Sequence, residues 1–171
     1  IPKEYLFKEK AKPTFDVTAA RGEANKLIDS LDNLYPGEKD SYKSEIATKS
    51  TRAEIEAVVK KATDKATENA VELAKMKKEA NDKINALNYL TKEEKVAAIK
   101  KINSATIKQG DADVDSAATT TKTDTDANRE ATKARLNSIV DGLVATNLQK
   151  AKEKATETIN NIPDEDLSTD K

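Results

Sequence analysis

The chain has 171 residues, of which 30 are basic and 31 acidic. Such balanced, interspersed charge argues against the basic face of nucleic-acid binders and the basic clusters that anionic membranes attract. The sequence contains no cysteine and no histidine, which excludes disulfides and thiolate metal sites and removes the commonest general base. We therefore predict no catalytic residue, no cofactor, no metal site, no nucleic-acid partner and no membrane insertion. Only 4% of the residues are aromatic, so the predicted cores are thin.

Residues 1–17 contain two prolines and both phenylalanines without helical spacing, and we interpret them as a linker or N-terminal arm. The first helix is predicted over residues 18–34, because its apolar residues recur at the spacing of one helix face. Pro36 and Gly37 end it. A second helix is predicted over residues 37–48, with Tyr42 and Ile46 facing inward.

The third predicted helix begins at a capping box formed by Thr51 and Glu54. No glycine, proline or loop cluster follows before Leu87, so one continuous helix of about 55 Å is predicted. This helix is both the last helix of one unit and the first helix of the next. The sequence therefore predicts a stiff junction between two units.

An apolar pattern supports this reading, because it recurs 56 positions along the chain. Its first copy is Ala24, Ile28, Leu31 and Leu34, its second is Ala80, Ile84, Leu87 and Leu90, and a third opens as Ala155, Ile159 and Ile162. Repeats of this length indicate one supersecondary unit stacked in an array. We expect the chain to be a segment of a longer protein.

Thr91 is predicted to cap the next helix, after which the copies diverge. The third copy begins 75 rather than 56 positions after the second, so 19 residues have been added within residues 107–126. They either extend the middle helix to about Ala118 or form a loop at Gly110. We favour the extension. The acidic residues that follow Gly110 lack the glycine and glutamate of a calcium loop.

The last predicted helix runs to Pro163 and carries a long apolar face: Leu136, Ile139, Val140, Leu143, Leu148, Ala151, Ala155, Ile159 and Ile162. The predicted fold is all-α, with tandem three-helix bundles joined by long shared helices into an elongated rod. The predicted domains are an arm (1–17), a first three-helix module (18–73), a longer second module (74–149), and the start of a third repeat with a disordered tail (150–171).

The first unit resembles the GA/FIVAR-type modules of Gram-positive cell-wall-anchored surface proteins, the giant staphylococcal matrix-binding protein among them. The resemblance rests on the first apolar copy, the Glu38-Lys39 pair, Tyr42, Ile46 and the segment from Thr51 to Ile55. The second unit resembles a longer repeat of the same proteins. The residues concerned are Leu90, Thr91, Glu93, Glu94, Lys95, Ile102, Ala105, Val114 and Ala117.

This resemblance implies an extracellular, wall-attached helical rod without enzymatic activity. Some GA modules bind serum albumin through the second helix and its flanks, which implies a host plasma or matrix protein as a partner. The candidate partner-binding residues here are Tyr42, Lys39, Lys43, Thr51 and Glu54; Tyr42 falls on an aromatic position of the family, whereas Lys43 stands where the albumin binders tend to carry a further aromatic.

Three hypotheses follow. The leading one is an extended helical spacer or adhesin stalk, monomeric as this segment. The second is a module that binds albumin, immunoglobulin or a matrix protein through the second helix of the first repeat. The third is an intracellular coiled-coil scaffold that self-associates through the heptads from Leu148 to Ile162.

Overall fold

A computed structural model describes residues 14–107 and 123–164, and every regular element within these ranges is an α-helix. The helices are α1 (Val17–Ser30), α2 (Pro36–Ile46), α3 (Arg52–Asn85), α4 (Lys92–Asn103) and α5 (Thr125–Asn160). The predicted all-α fold with tandem helical bundles is confirmed.

Helices α1 and α2 pack with the first half of α3 as a three-helix bundle. Its buried core consists of Ala24, Ile28, Leu34, Ile46, Ile55, Val58 and Ala62. Asp16 caps α1 by accepting the amide N–H of Ala19 at 3.0 Å. The first helix was predicted to reach Leu34 but ends at Ser30, because Leu31 adopts an extended backbone and Leu34 packs into the core from the loop.

The second half of α3 forms a second three-helix bundle with α4 and the first half of α5. Its buried core consists of Tyr35, Leu73, Ala80, Ile84, Ala98, Ile102, Ile107, Leu136 and Val140. Helix α3 is one uninterrupted helix of 34 residues, about 51 Å long, that contributes to both cores. The predicted continuous helix is therefore confirmed.

The predicted extension of the middle helix is wrong. Helix α4 ends at Asn103, and the chain leaves the helix so that Ile107 can pack into the second core. Five positions separate Ile46 from the cap Thr51, whereas 22 separate Ile102 from the cap Asp124. Most of the added residues thus lie between the second and third helices of the second bundle. Gly110, Val114, Ala117, Ala118 and the acidic residues after Gly110 lie outside the described residues.

The predicted capping box at Thr51 and the predicted cap at Thr91 differ in their hydrogen bonds. At Thr91 the box is complete: its hydroxyl accepts the Glu94 amide N–H, and the Glu94 carboxylate accepts the Thr91 amide N–H at 2.9 Å. At Thr51 the hydroxyl accepts the Glu54 amide N–H at 3.2 Å but donates to the Glu54 carboxylate at 2.8 Å. The Thr51 box is therefore half formed.

The predicted domain boundaries stay predictions, because two bundles that share a helix have no single boundary residue.

Candidate functional site

Two of the predicted partner-binding residues, Lys39 and Lys43, lie on the side of α2 that faces α1. The Lys39 ammonium donates to the carbonyl of Asp29 at 2.8 Å, and the Lys43 ammonium donates to the Asp29 carboxylate at 2.8 Å. The hydrogen bond to Asp29 raises the pKa of Lys43. Both lysines therefore brace α2 against the end of α1.

The other three predicted residues lie elsewhere. Tyr42 is half-buried against the first core, and this burial raises the pKa of its hydroxyl. Thr51 and Glu54 are exposed at the start of α3. The structure thus brings Lys39 and Lys43 together but does not gather all five residues into one patch. The exposed positions of α2 are polar: Asp40, Ser41 and Ser44.

The most strongly constrained polar residues lie at the junction between the bundles. Tyr35 immediately precedes α2 of the first bundle, yet its side chain is 2% exposed and belongs to the second core. Arg129 of α5 lies over this ring, with its guanidinium carbon 5.3 Å from the ring centroid. Its Nε is also 3.3 Å from the carboxylate of Glu72 on α3. Arg129 therefore ties three segments together.

A buried threonine completes the surroundings of Tyr35. Thr132 of α5 is 1% exposed, lies near the hydroxyl of Tyr35, and donates to the carbonyl of Asn128 at 3.1 Å. Burial raises the pKa of Tyr35, and the charge of Arg129 acts in the opposite direction. The hydroxyl therefore stays protonated, and Tyr35 serves as a buried structural residue.

Asn69 occupies the middle of α3 and is 2% exposed. Its side-chain amide donates to the carbonyl of Asn33 at 2.8 Å and to the carboxylate of Glu38 at 2.8 Å. The same Glu38 carboxylate accepts the amide N–H of Tyr35 at 3.1 Å. Asn69 thereby holds the α1–α2 loop and the start of α2 against the shared helix.

A glycine allows the segment before α5 to approach the first bundle. A Cβ atom added at Gly37 of α2 would overlap the carbonyl oxygen of Thr123. Since α5 follows almost directly, Gly37 lets the second bundle's last helix start against α2. We call Tyr35, Glu38, Asn69, Glu72, Arg129 and Thr132 the junction network.

The family comparison covers much of the same structure. The GA module family model matches residues 16–68 and 70–124. The chain belongs to the GA module family. The first match contains α1, α2 and the first half of α3, which together form the first bundle. The second match stops at residue 124, so α5, which closes the second bundle, lies beyond it. Neither the curated proteins nor the solved structures include a significant match.

The two GA modules share their bracing contacts. Lys95 of α4 lies 56 positions after Lys39, and its ammonium donates to the carbonyl of Asn85 at 3.2 Å, as Lys39 does to Asp29. In the second bundle the side chain of Asn147 on α5 accepts the amide N–H of Tyr89 at 2.9 Å. In both bundles an asparagine on the third helix therefore holds the loop between the first and second helices.

The junction network was missed from the sequence. One signal was present: Asn69 interrupts the apolar face that runs through Ala62, Ala66 and Leu73 of α3. A polar residue on a buried face needs a partner, which marks the position as special. Nothing local indicated that Tyr35 belongs to the second core.

The described ranges also show two absences. No group of acidic side chains among them is arranged to hold a metal ion. None of their helices combines the length and apolar character needed to cross a membrane.

Proposed function

We propose that this pair of GA modules is a non-enzymatic spacer in an extracellular, wall-attached surface protein, where it keeps successive modules at a fixed separation and angle. The observation that carries the proposal is the sharing of α3: its first half packs in one core and its second half in the next, without a break. A hinge between the modules would have to break backbone hydrogen bonds of that helix.

The junction network adds resistance to bending. Arg129 and Thr132 of α5 both contact Tyr35, which precedes α2. A bend at the middle of α3 would separate these side chains and expose Tyr35 and Asn69. Exposing Asn69 would break its hydrogen bonds to Asn33 and Glu38. Exposing Tyr35 would return its buried aromatic ring to water.

Small-angle X-ray scattering of residues 14–164 tests the extended shape. A compact domain of this length has a radius of gyration of about 15 Å. With α3 alone about 51 Å long and α5 extending past the second bundle, we expect about 20 Å or more. A value near 15 Å would contradict the spacer. Antibody labelling of intact cells that carry the parent protein tests the surface location, and staining only after permeabilisation would oppose it.

The family supports a second candidate, a host-protein binding module of the albumin-binding type. Lys43 is a suitable probe, because its contact with Asp29 is a surface ion pair at 2.8 Å whose loss leaves the core intact. The control is Lys78, which forms a similar exposed pair with Asp82 at 2.7 Å on α3.

The experiment measures binding of the chain to immobilised serum albumin, immunoglobulin and fibronectin by biolayer interferometry. A binder using α2 loses affinity in Lys43→Ala and keeps it in Lys78→Ala. The absence of wild-type binding to all three proteins rejects these partners, and equal loss in both variants rejects the α2 face.

A further inference from the structure

The second half of α5 presents an apolar face that the described parts of the chain leave exposed. We call residues 148–162 the α5 tail. Three large apolar side chains point to solvent on it: Leu148 is 54% exposed, Ile159 65% and Ile162 61%. An exposed apolar stripe of this kind on a helix commonly marks an interaction surface.

The spacing of this stripe matches the core-facing side of α1. The core-facing residues of α1 and the loop after it are Val17, Ala20, Ala24, Ile28 and Leu31. At a constant offset the α5 tail carries Leu148, Ala151, Ala155, Ile159 and Ile162. Within the first bundle Ala24 and Ile28 are 6% and 0% exposed. The α5 tail thus has the face of a first helix, and no helix among the described residues covers it.

A basic residue follows the same register. On α1, the Arg21 guanidinium donates to the carbonyl of Lys49 after α2, at 2.8 and 2.6 Å. At the corresponding position of α3, the Lys77 ammonium donates to the carbonyl of Asn103 at the end of α4, at 2.9 Å. The α5 tail carries Lys152 at this position. It therefore has the donor as well as the apolar face that a second helix requires.

We propose that the α5 tail is a docking surface for a second copy of this chain, where it packs on α2 and the first half of α3 in place of that copy's α1. Exchange of equivalent elements between copies is a low-cost route to association, because the contacts made are those already present within one chain.

The structure favours α1 as the helix that is replaced. It has only 14 residues and connects to α2 through the five residues 31–35. The other buried first-helix face is the second half of α3, which is continuous with the first bundle and cannot leave its site. Because α1 is tethered at a millimolar effective concentration, the wild-type chain stays monomeric at micromolar concentration.

Weakening α1 makes the exchange measurable. Ile28→Asp places a charge at a position that is 0% exposed, so α1 no longer closes the first bundle. Sedimentation velocity of this variant should show a mass that rises with concentration from 18.7 kDa to at least twice that value. Circular dichroism should show helix content rising over the same concentrations, as α5 tails complete the first bundles.

Second-site variants identify the surface. Ile28→Asp combined with Ile159→Asp should stay monomeric with an unfolded first bundle at every concentration. Ile28→Asp combined with Glu153→Lys should associate as Ile28→Asp does, because Glu153 corresponds to Gly22, a position with nothing within 4 Å. Ile159→Asp alone should keep wild-type stability, since Ile159 is 65% exposed.

Two outcomes overturn the proposal. A monomeric Ile28→Asp variant at all concentrations shows that the α5 tail cannot replace α1. Wild-type association as strong as that of Ile28→Asp, abolished by Ile159→Asp, shows that two α5 tails pair directly with each other instead.

Discussion

Arg129 of α5 covers the ring of Tyr35, which lies 94 positions earlier in the sequence, with 5.3 Å between the guanidinium carbon and the ring centroid. Tyr35 precedes the second helix of the first bundle, and Arg129 lies on the last helix of the second bundle. The two bundles therefore touch through side chains in addition to sharing α3. This contact turns a helical connection into a packed interface.

Removal of the Arg129 side chain should weaken this interface. We expect Arg129→Ala to lower the free energy of unfolding by about 1–2 kcal/mol, since it loses the ring contact and the pair with Glu72. Urea denaturation measures the change. Lys133→Ala is the control, because its pair with Glu130 is exposed and should contribute under about 0.5 kcal/mol. Equal losses in the two variants would argue against a special role for Arg129.

Replacing Asn69 by alanine should lower the free energy of unfolding more than replacing its counterpart in the second bundle, Asn147. Asn69→Ala removes the donor of the part-buried Asn33 carbonyl and one of the two donors of the Glu38 carboxylate, and should cost about 1–3 kcal/mol of unfolding free energy. Asn147→Ala removes a single exposed hydrogen bond and should cost less than about 1 kcal/mol. Urea denaturation of both variants tests the difference, and the reverse order would contradict the assignment of Asn69 to the junction.

Alanine substitutions at Gly37 and Gly142 should change the stability of the chain in opposite directions. Gly37→Ala should destabilise the chain by about 1–3 kcal/mol, because its Cβ would overlap the Thr123 carbonyl. Gly142→Ala in α5 has open space around it and should stabilise the chain by up to about 1 kcal/mol through helix propensity. Thermal denaturation of the two variants provides the measurement. A stabilising Gly37→Ala would show that α2 and the segment before α5 are not in close contact.

Acid should lower the stability of the second bundle by protonating the Glu94 carboxylate. The hydrogen bond from Lys150, followed by that from the Thr91 backbone, lowers the pKa of Glu94 from 4.5 to about 2. A lowered pKa means that the stabilisation is complete above pH 4.5 and is lost as the pH falls toward 2. NMR titration of the Glu94 carboxyl carbon should give a midpoint near 2. In Lys150→Ala the midpoint should rise, and an unchanged midpoint would rule out the Lys150 contact as its cause.

The helices and the continuity of α3 could be predicted from the sequence because their causes are local. Apolar residues at helical spacing, a threonine cap and the lack of glycine or proline between Thr51 and Leu87 are all visible without tertiary information. The end of α4 is different. Helix α4 could be continued on propensity alone, but the packing of Ile107 into the second core ends it at Asn103.

The candidate site shows the same division. Lys39 and Lys43, four positions apart, are candidate partner-binding residues, and that role stays a prediction; the structure adds that both ammonium groups bond to Asp29 across the bundle. A sequence shows which charges share a helix face but not which charge lies opposite. Tyr35 likewise precedes a proline, so the local sequence indicates a turn. Its burial could not be predicted, because Arg129, which covers its ring, comes from α5.

Rigid connection of the two GA modules is the central claim, and pulsed electron paramagnetic resonance across the junction tests it most directly. The chain has no cysteine, so nitroxide labels at Ser44→Cys on α2 and Lys101→Cys on α4 report one distance between exposed positions. We expect a single narrow distance distribution, which broadens when Asn69→Ala and Arg129→Ala are combined. A broad or two-peaked distribution in the otherwise wild-type chain would contradict a rigid junction.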